Sequence, residues 1–457
     1  MYRMSKRKRS MKITLIEPTR CFENGKPIKL KQLFSPALTL PRLASLLPPD
    51  IDVSIISEPI EDINFDEEVD LVGITSYTIN VHRAYHIADG FRKRKIPVVM
   101  GGIHVSMEPE EALEHADTVI AGEAEETWPQ FINDFRNGGQ KKVYEAKERP
   151  SLANLPTPRF SLLNQKRYLG YRSKGVSRFF LKPLIPIETA RGCPYSCAFC
   201  TVTKFFGGKY RPRPITNVVN EIKALGAQNC FFVDDNIFAS PRRAKELFKA
   251  LIPLKIAWRG QATIGAAEDK ELIQLARKSG CSSLGIGLES LSCRNLKSVG
   301  KTMNKVEHYG KNLRAYREEG ISAIASMMFG FDEEEPTVFK EAYDFMIKNR
   351  IYLAHWQAIR PHPGTLFYQR LKDQGRLKDD KWWLSPSGKF YCLRYTGTKM
   401  EDEVFSKNFF HYYTRFYSLK NIVRRILFPP QEECIAKLLV NLALRRRLLR
   451  NTTIYEH

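Results

Sequence analysis

Short apolar segments alternate with amphipathic segments along residues 11–138, a pattern typical of an α/β domain with a parallel sheet. The predicted strands and helices are as follows: strands at 12–17, 51–56, 71–76, 97–100 and 118–121, and helices at 36–47, 81–95, 109–115 and 125–135. Doubly wound sheets of this kind bind their ligands at the carboxyl ends of the strands. The residues that follow these strands are therefore the first candidates for a site.

A second alternating series occupies residues 184–364, after a polar stretch with several prolines at 139–183 that we interpret as a linker. Its predicted elements are as follows: strands at 185–189, 230–233, 256–259, 283–288, 322–327 and 354–358, and helices near 217–225, 242–254, 270–278, 306–319 and 336–348. Six strands with helices between them favour a partial (β/α)6 barrel over the complete eightfold one. The predicted fold class is α/β: a doubly wound, Rossmann-like domain, then this barrel, then a mainly helical region at 365–457.

The C-terminal region is rich in aromatic and basic residues. Near its end, Ile435, Leu438, Leu439 and Leu442 form an apolar face at helical spacing, and three arginines at 445–447 follow it. Two interpretations of this segment stay open at this point. It is either a helix packed on the barrel or an interfacial helix that touches an anionic membrane.

The chain has 457 residues, 43% of them hydrophobic, and a formal net charge of +22 from 72 basic and 50 acidic residues. This charge attracts anionic partners of many kinds, so it selects no function by itself. We expect no membrane-spanning helix, because no stretch of about twenty apolar residues occurs. We expect a reducing, cytoplasmic location, because the nine cysteines do not form the pattern of a secreted disulfide framework.

Three of the cysteines share one short loop, Cys193, Cys197 and Cys200, with the spacing C-x3-C-x2-C. Three thiolates on such a loop can bind three irons of a cubane and leave the fourth iron open to an exogenous ligand. A structural zinc site would need a fourth closing ligand, and neither a second cysteine pair nor a histidine nearby in the sequence supplies one. The loop therefore predicts a 4Fe-4S cluster.

The cysteine loop resembles that of the radical S-adenosylmethionine (SAM) superfamily, in which SAM chelates the open iron and is cleaved to a 5'-deoxyadenosyl radical. The resemblance implies that the three cysteines are the metal ligands and the catalytic centre, and that Phe199 contacts the cluster or the adenine. The segment after the second barrel strand accepts hydrogen bonds from the SAM ammonium group in that superfamily. In this chain it reads Asp234-Asp235-Asn236, and each of the three residues is a candidate for that role.

Two further places in the barrel are candidates for a contact with SAM or with the substrate. Glu289 and Ser290 end the fourth predicted strand, where the superfamily has a carboxylate that accepts from the SAM ribose hydroxyls. His362 follows the last predicted strand, and it is either structural or directed to the substrate.

The N-terminal domain resembles the cobalamin-binding domains that are coupled to radical SAM barrels. Segments 73–78, 98–104 and 121–125 carry this resemblance, and each lies at a predicted strand end. The cobalamin contacts that it implies are Ser76, Tyr77, Thr78, Gly101, Gly102, His104, Gly122 and Glu123. The Asp-x-His-x-x-Gly signature that supplies a histidine to cobalt is absent after the first strand. A lower axial histidine is therefore not implied, and His104 is the remaining candidate for one.

Together the two resemblances imply a cobalamin-dependent radical SAM methyltransferase that acts on an unactivated carbon of a small molecule, a lipid or a protein side chain. One alternative is a non-methylating radical SAM reaction, such as a cyclisation or a rearrangement. A second is a cobalamin or iron–sulfur sensor that binds nucleic acid, although no nucleic-acid-binding module is evident. The implied cofactors are a 4Fe-4S cluster, SAM and cobalamin.

The expected partners follow from this function. They are the unidentified substrate and an electron donor such as flavodoxin or ferredoxin. Peripheral membrane contact through the basic C-terminal helix is a further hypothesis. Nucleic acid is not expected as a partner.

Overall fold

The computed structural model describes residues 10–169, 183–385, 392–428, 431 and 433–449. The chain divides into two compact units. The first contains the described residues up to 169 together with 383–385, and the second contains residues 183–382 and the described residues from 392 onward.

The first unit is built on a six-stranded parallel sheet with the order β2-β1-β3-β4-β5-β6. Its strands are β1 (Lys12–Glu17), β2 (Asp52–Ser57), β3 (Leu71–Thr75), β4 (Val98–Gly101), β5 (Thr118–Ala121) and β6 (Val143–Glu145). Its helices are α1 (Thr39–Ser45), α2 (Val81–Arg92), α3 (Ile103–Met107), α4 (Pro109–His115) and α5 (Thr127–Arg136). The strand order reverses between β1 and β3. A ligand is therefore expected at the carboxyl ends of the strands beside this point.

Burial explains why the sequence revealed five of these strands but not the sixth. The central strand β1 is buried along Ile13–Ile16, as in a parallel sheet covered on both faces. The edge strand β6 has three residues, and only Tyr144 is buried. A strand of this length shows too little periodicity to stand out in a region that reads as a linker.

The second unit contains six parallel strands in the order β14-β13-β12-β11-β10-β7. They are β7 (Ile185–Ile187), β10 (Asn229–Phe232), β11 (Ala257–Ala262), β12 (Cys281–Glu289), β13 (Ser322–Phe329) and β14 (Leu353–Ala358). A separate two-stranded antiparallel sheet pairs β8 (Ala190–Arg191) with β9 (Arg211–Pro212). The two sheets confirm the predicted α/β fold class, with a doubly wound domain followed by a partial barrel.

The helices of the second unit follow the strand–helix alternation and then continue as a helical C-terminal region. They are α6 (Thr201–Phe206), α7 (Ile215–Ala224), α8 (Pro241–Leu251), α9 (Lys270–Lys278), α10 (Cys293–Ser298), α11 (Tyr309–Glu318), α12 (Thr337–Lys348), α13 (Leu366–Asp373), α14 (Asp402–Phe416), α15 (Leu419–Leu427) and α16 (Cys434–Leu449). Among the described residues, no helix is both long enough and apolar enough to cross a membrane.

The C-terminal helices cover the edge strand β14 and the chain that leads into it. The Tyr417 hydroxyl accepts from the Ala354 backbone N–H at 3.1 Å, so the open edge of the sheet has a partner there. The Arg425 guanidinium is buried 3.7 Å from the centre of the Phe416 ring and donates to the Ile351 backbone carbonyl at 2.6 Å. These contacts place α14 and α15 against the barrel.

Helix α16 packs through a different face from the apolar one expected from its sequence. Its buried side chains include Lys437 and Asn441, and Lys437 bonds to Ser322 at the start of β13. Ile435 and Leu439 are exposed instead, at 60% and 57%. The helix is therefore packed on the barrel and also presents an apolar stripe to solvent.

Candidate functional site

The cysteine loop lies between β8 and α6, after the first strand of the barrel. It begins at Gly192, whose backbone has φ of 81°. A Cβ at this position would lie 2.2 Å from the Lys209 carbonyl oxygen, so no larger residue fits without moving the chain. This glycine allows the chain to turn tightly just before Cys193.

Backbone hydrogen bonds hold the middle of the loop on both sides. The Ala198 N–H donates to the Val299 carbonyl at 2.8 Å, and the Ala198 carbonyl accepts from the Phe367 N–H at 2.8 Å. Phe199 packs against a cluster of buried side chains that contains Val299 and Ile359. Residues distant in sequence thus anchor the loop from both sides.

All three loop cysteines are free thiols of intermediate exposure. Burial raises the pKa of each thiol, that of Cys200 to about 11. Iron ligation must therefore displace protons from the loop, as in other thiolate sites. In the described part of the chain, no three side chains of His, Cys, Asp or Glu converge on one metal-ion position. A cubane differs from a single ion, because its thiolates bind separate irons and lie farther apart.

The three polar residues after β10 have different environments. Asp234 is buried, and it accepts from the Thr189 backbone N–H at 2.7 Å and from the Thr189 hydroxyl. Asp235 is only partly buried and accepts from the Gly192 N–H at 3.0 Å. Burial raises the pKa of Asp234 to about 7 and that of Asp235 to about 6. Asp234 thus joins two strand ends, whereas Asp235 lies at the entrance to the cysteine loop.

Asn236 lies beside the first cysteine of the loop. Its side chain helps to lower the pKa of Cys193 against the larger opposing effect of burial. Its Oδ1 also accepts from the Phe238 N–H at 3.2 Å. Its Oδ1 thus has a local structural contact, whereas its Nδ2 is buried without a hydrogen-bond partner among the described residues.

Glu289 ends β12 in a strained conformation, with φ of 66°. Its Oε1 pairs with the Lys301 ammonium at 2.9 Å, and a Cβ at Gly287 would lie 2.2 Å from the same oxygen. Its Oε2 is buried and has no hydrogen-bond partner among the described residues. A buried carboxylate oxygen in this state is suited to accept from a ligand hydroxyl.

The Lys301 ammonium group places a positive charge beside the Glu289 carboxylate. Its side chain is 13% exposed, and its ammonium lies 5.9 Å from the centre of the Phe199 ring. It also lowers the pKa of Cys197, against the larger effect of burial. No sequence pattern marks this lysine as a site residue, because it lies twelve residues beyond Glu289 in a loop without a strand-end signal.

Ser290 belongs to a network within the barrel rim. Its hydroxyl accepts from the Asn295 amide at 3.2 Å, and the same amide donates to the Glu334 carboxylate at 2.9 Å. Glu334 also accepts from the Gly330 N–H at 2.7 Å, and burial raises its pKa to about 8. The predicted SAM contact at Ser290 thus has a structural role in this rim, whereas the adjacent Glu289 retains an oxygen for a ligand.

In the first unit, the predicted cobalamin residues come together at the carboxyl ends of β3, β4 and β5. The turn after β3 is anchored by a hydrogen bond from the Ser76 N–H to the Gly101 carbonyl at 3.0 Å. A Cβ at Gly102 would lie 2.6 Å from the Ser76 carbonyl oxygen. Gly102 is therefore required by this turn itself, and its small size does not open space for a ligand.

Three features at these strand ends are suited to a bulky ligand. The Ser76 hydroxyl is buried without a hydrogen-bond partner among the described residues. Gly122 has φ of 81°, and a Cβ built there would contact nothing within 4 Å. Tyr77 lies on the same turn and is 50% exposed. An acceptor, open space and an aromatic surface thus occur together.

His104 and Glu123 have protein partners. His104 is fully buried, and its ring nitrogens lie 3.3 Å from the Thr78 hydroxyl and 3.3 Å from the Glu111 carboxylate. Glu123 is 5% exposed and pairs with Arg149 at 3.5 Å. Neither nitrogen of His104 is available to bind cobalt in this structure, so the remaining histidine candidate for a lower ligand does not fit that role.

Comparison with known proteins agrees with this division of the chain. The Radical SAM superfamily model matches residues 187–346, and the B12 binding domain model matches residues 45–132. The bacteriochlorophyllide d C-8(2)-methyltransferase of Chlorobaculum tepidum is 30% identical over 441 residues, which cover 93% of this chain and 94% of the relative. The bacteriochlorophyllide d C-12(1)-methyltransferase of the same organism is also 30% identical, over 86% of this chain and 85% of the relative.

This chain belongs to the cobalamin-binding radical SAM methyltransferases. A solved structure with the same fold is the radical SAM methyltransferase TsrM from Kitasatospora setae, with cobalamin and a 4Fe-4S cluster bound. Its TM-score is 0.61 at 19% identity, over 80% of this chain and 78% of that chain. The predicted methyltransferase function is confirmed, and neither the rearrangement enzyme nor the nucleic-acid sensor is favoured.

The residues of this methyltransferase fit its three cofactors, a 4Fe-4S cluster, SAM and cobalamin. The cysteine loop offers three thiols, Glu289 offers an oxygen without a described partner, and Ser76 offers a hydroxyl in the same state. When bound, the cluster and SAM supply a carbon-centred radical and cobalamin supplies a transferable methyl group. The protein holds these groups in place and excludes water from them.

We predict that the methyltransferase assembles its cluster on the three loop cysteines alone. The Cys197→Ala protein should lose the 4Fe-4S absorbance and SAM cleavage, because only two thiolates would remain on the loop. The Cys434→Ala protein should retain both properties, since this cysteine lies on α16 far from the loop in sequence. Iron and sulfide content and deoxyadenosine release measure the two properties. Full SAM cleavage by the Cys197→Ala protein would contradict the assignment.

We predict that Glu289→Ala weakens SAM binding about ten- to a hundredfold, because loss of a charged acceptor costs about 1.5–3 kcal/mol. The iron content should not change, because Glu289 does not ligate iron. The matched control is Glu271→Ala, which breaks an exposed Glu–Lys pair of 2.7 Å on the same unit. Titration calorimetry with anaerobic protein gives the dissociation constants, and an unchanged value for Glu289→Ala would remove this residue from the site.

Proposed function

We propose that this enzyme methylates an unactivated carbon of a bacteriochlorophyllide-like tetrapyrrole. One observation carries the proposal: the similarity to the two bacteriochlorophyllide d methyltransferases extends over nearly the full length of both chains. The similarity therefore includes the C-terminal region, where relatives of different substrate class would be expected to differ. Both relatives act on the same tetrapyrrole class at different positions, so the substrate class is better supported than the carbon that is methylated.

We propose the following roles for the barrel residues in this reaction. Asp235 accepts from the SAM ammonium group, because it is the carboxylate at the entrance to the cysteine loop that is only partly buried. Glu289 accepts from the ribose hydroxyls through Oε2, which has no described partner. Lys301 holds Glu289 in position and offsets negative charge near Cys197. These residues fix the position of SAM relative to the iron that has no protein ligand.

The substrate proposal predicts a methylated product from bacteriochlorophyllide d. Anaerobic protein, reconstituted with iron, sulfide and cobalamin, is incubated with SAM, a reductant and bacteriochlorophyllide d. Mass spectrometry should detect a gain of one CH2 unit, together with S-adenosylhomocysteine and 5'-deoxyadenosine. The Cys197→Ala protein is the control, and it should give none of these products.

Other outcomes of this experiment would overturn different parts of the proposal. Deoxyadenosine without S-adenosylhomocysteine or methylated tetrapyrrole would favour another radical reaction. No turnover of the tetrapyrrole, with turnover of a lipid extract or a peptide library, would show that the substrate class is wrong while methyl transfer remains.

Reduction of the cluster requires an external electron donor, and we propose flavodoxin or ferredoxin for this role. The net charge of +22 supports this, because small acidic redox proteins are attracted to a basic surface. These donors are consistent with the cytoplasmic location that we propose.

We also propose that α15, Phe428 and α16 contact an anionic membrane surface. Large apolar side chains are exposed here: Leu419 at 54%, Phe428 at 68%, Ile435 at 60% and Leu439 at 57%. The basic residues Lys420, Arg424 and Arg446 are exposed on the same two helices. Apolar and cationic groups together match an anionic bilayer. A second copy of this basic chain would bring like charges together and fits this surface less well.

The membrane proposal predicts that the full chain sediments with phosphatidylglycerol-containing vesicles and much less with phosphatidylcholine vesicles. The Ile435→Gln/Leu439→Gln double variant should bind at least about tenfold more weakly, because two side chains can no longer enter the bilayer. Phe22→Gln, which changes an apolar residue that is 38% exposed in the other unit, is the control. Equal binding of both vesicle types, or of the double variant and the wild type, would contradict the proposal.

A further inference from the structure

A buried polar network lies behind the proposed cobalamin edge of the first unit. The Glu111 carboxylate Oε1 accepts from the Trp383 indole N–H at 2.9 Å and from the Tyr85 hydroxyl at 2.9 Å. The His104 Nε2 atom lies 3.3 Å from the same oxygen. Both His104 and Trp383 are buried, at 0% and 3% exposure, and residues 383–385 belong to this unit.

The donors in this network determine the tautomer of His104. An indole N–H can only donate, so Glu111 Oε1 acts as an acceptor. Burial lowers the pKa of His104, so the ring is neutral and carries one proton. Nε2 must carry that proton in order to donate to Glu111, and Nδ1 is then an acceptor.

The tautomer in turn orients the hydroxyl of Thr78. Nδ1 lies 3.3 Å from the Thr78 Oγ1, so this hydroxyl is the donor in that hydrogen bond. Its lone pairs then remain as acceptors. Thr78 lies two residues after Ser76, whose buried hydroxyl has no partner among the described residues. Two hydroxyls on one turn are thus positioned at the ligand edge of the sheet.

We propose that Glu111 and His104 are positioning residues that hold Thr78 as an acceptor for a carboxamide N–H of bound cobalamin. Primary carboxamides surround the corrin ring, and each of them offers two N–H donors. His104 therefore acts on cobalamin through Thr78 and does not bind the cobalt. This inference rests on the placement of cobalamin at the carboxyl ends of β3, β4 and β5.

The experiment measures cobalamin affinity of the full-length, cluster-loaded protein by equilibrium dialysis with hydroxocobalamin. Thr78→Val, which keeps the shape and removes the hydroxyl, should weaken binding about tenfold. Thr118→Val is the matched control, because it removes a buried threonine hydroxyl at the opposite end of the same sheet. The control should bind cobalamin as the wild type does.

Two substitutions of His104 test whether this residue positions the Thr78 hydroxyl or only fills space in the core. His104→Gln should preserve affinity to within about threefold, since its amide can donate to Glu111 and its carbonyl can accept from Thr78. His104→Leu should weaken cobalamin binding about as much as Thr78→Val does. The Thr78→Val/His104→Leu double variant should lose little more affinity than either single variant. Circular dichroism melting and iron content identify variants that fail to fold.

The outcomes distinguish the inference from the site on which it rests. Wild-type affinity in Thr78→Val, or fully additive losses in the double variant, would overturn the positioning role. Equal loss in His104→Gln and His104→Leu would also overturn it. A wild-type protein that binds no cobalamin would instead overturn the placement of the cofactor.

Discussion

The radical SAM site depends on the two backbone hydrogen bonds made by Ala198. One connects the middle of the cysteine loop to Val299, and the other connects it to Phe367 at the start of α13. A loop that must present three thiols cannot use their side chains to hold its own shape. Backbone groups and the partly buried Phe199 do this instead, so the loop is supported before iron binds.

The polar residues at the rim of the barrel divide into those that hold the structure and those that remain for a ligand. Asp234 joins the ends of β7 and β10 through Thr189, whereas the neighbouring Asp235 reaches the cysteine loop. Ser290 is tied to Asn295, whereas the neighbouring Glu289 keeps one oxygen without a described partner. Adjacent residues have different roles because successive side chains at a strand end point in different directions.

The first unit shows the same division. Gly102 and His104 support the turn after β3, which contains Ser76 and Thr78. The absence of the cobalt-binding histidine signature in the sequence agrees with the buried, fully engaged state of His104. In our proposal, cobalamin is therefore held by hydroxyl groups, an open glycine and the shape of this site, without a histidine from these segments.

Much of the fold and the cluster loop could be predicted from local patterns, and the resemblance to known families implied SAM and cobalamin. The spacing of three cysteines and the periods of apolar residues are properties of short segments, so they predicted the cluster loop and eleven of the twelve strands in the two parallel sheets. The three-residue strand β6 was missed because a segment of that length has almost no period. The strand ends then indicated which residues are near each cofactor.

The sequence could not decide which of these residues are free to bind. The pairing of Lys301 with Glu289, the contact of Trp383 with Glu111 and the outward orientation of Ile435 each depend on residues far apart in the chain. Such contacts form only when the chain is packed, and they leave no repeating pattern in the sequence. The sequence by itself determined the elements and the chemistry of the loop, because these are local. The tertiary structure decided which polar atoms are already satisfied and which are left for a ligand.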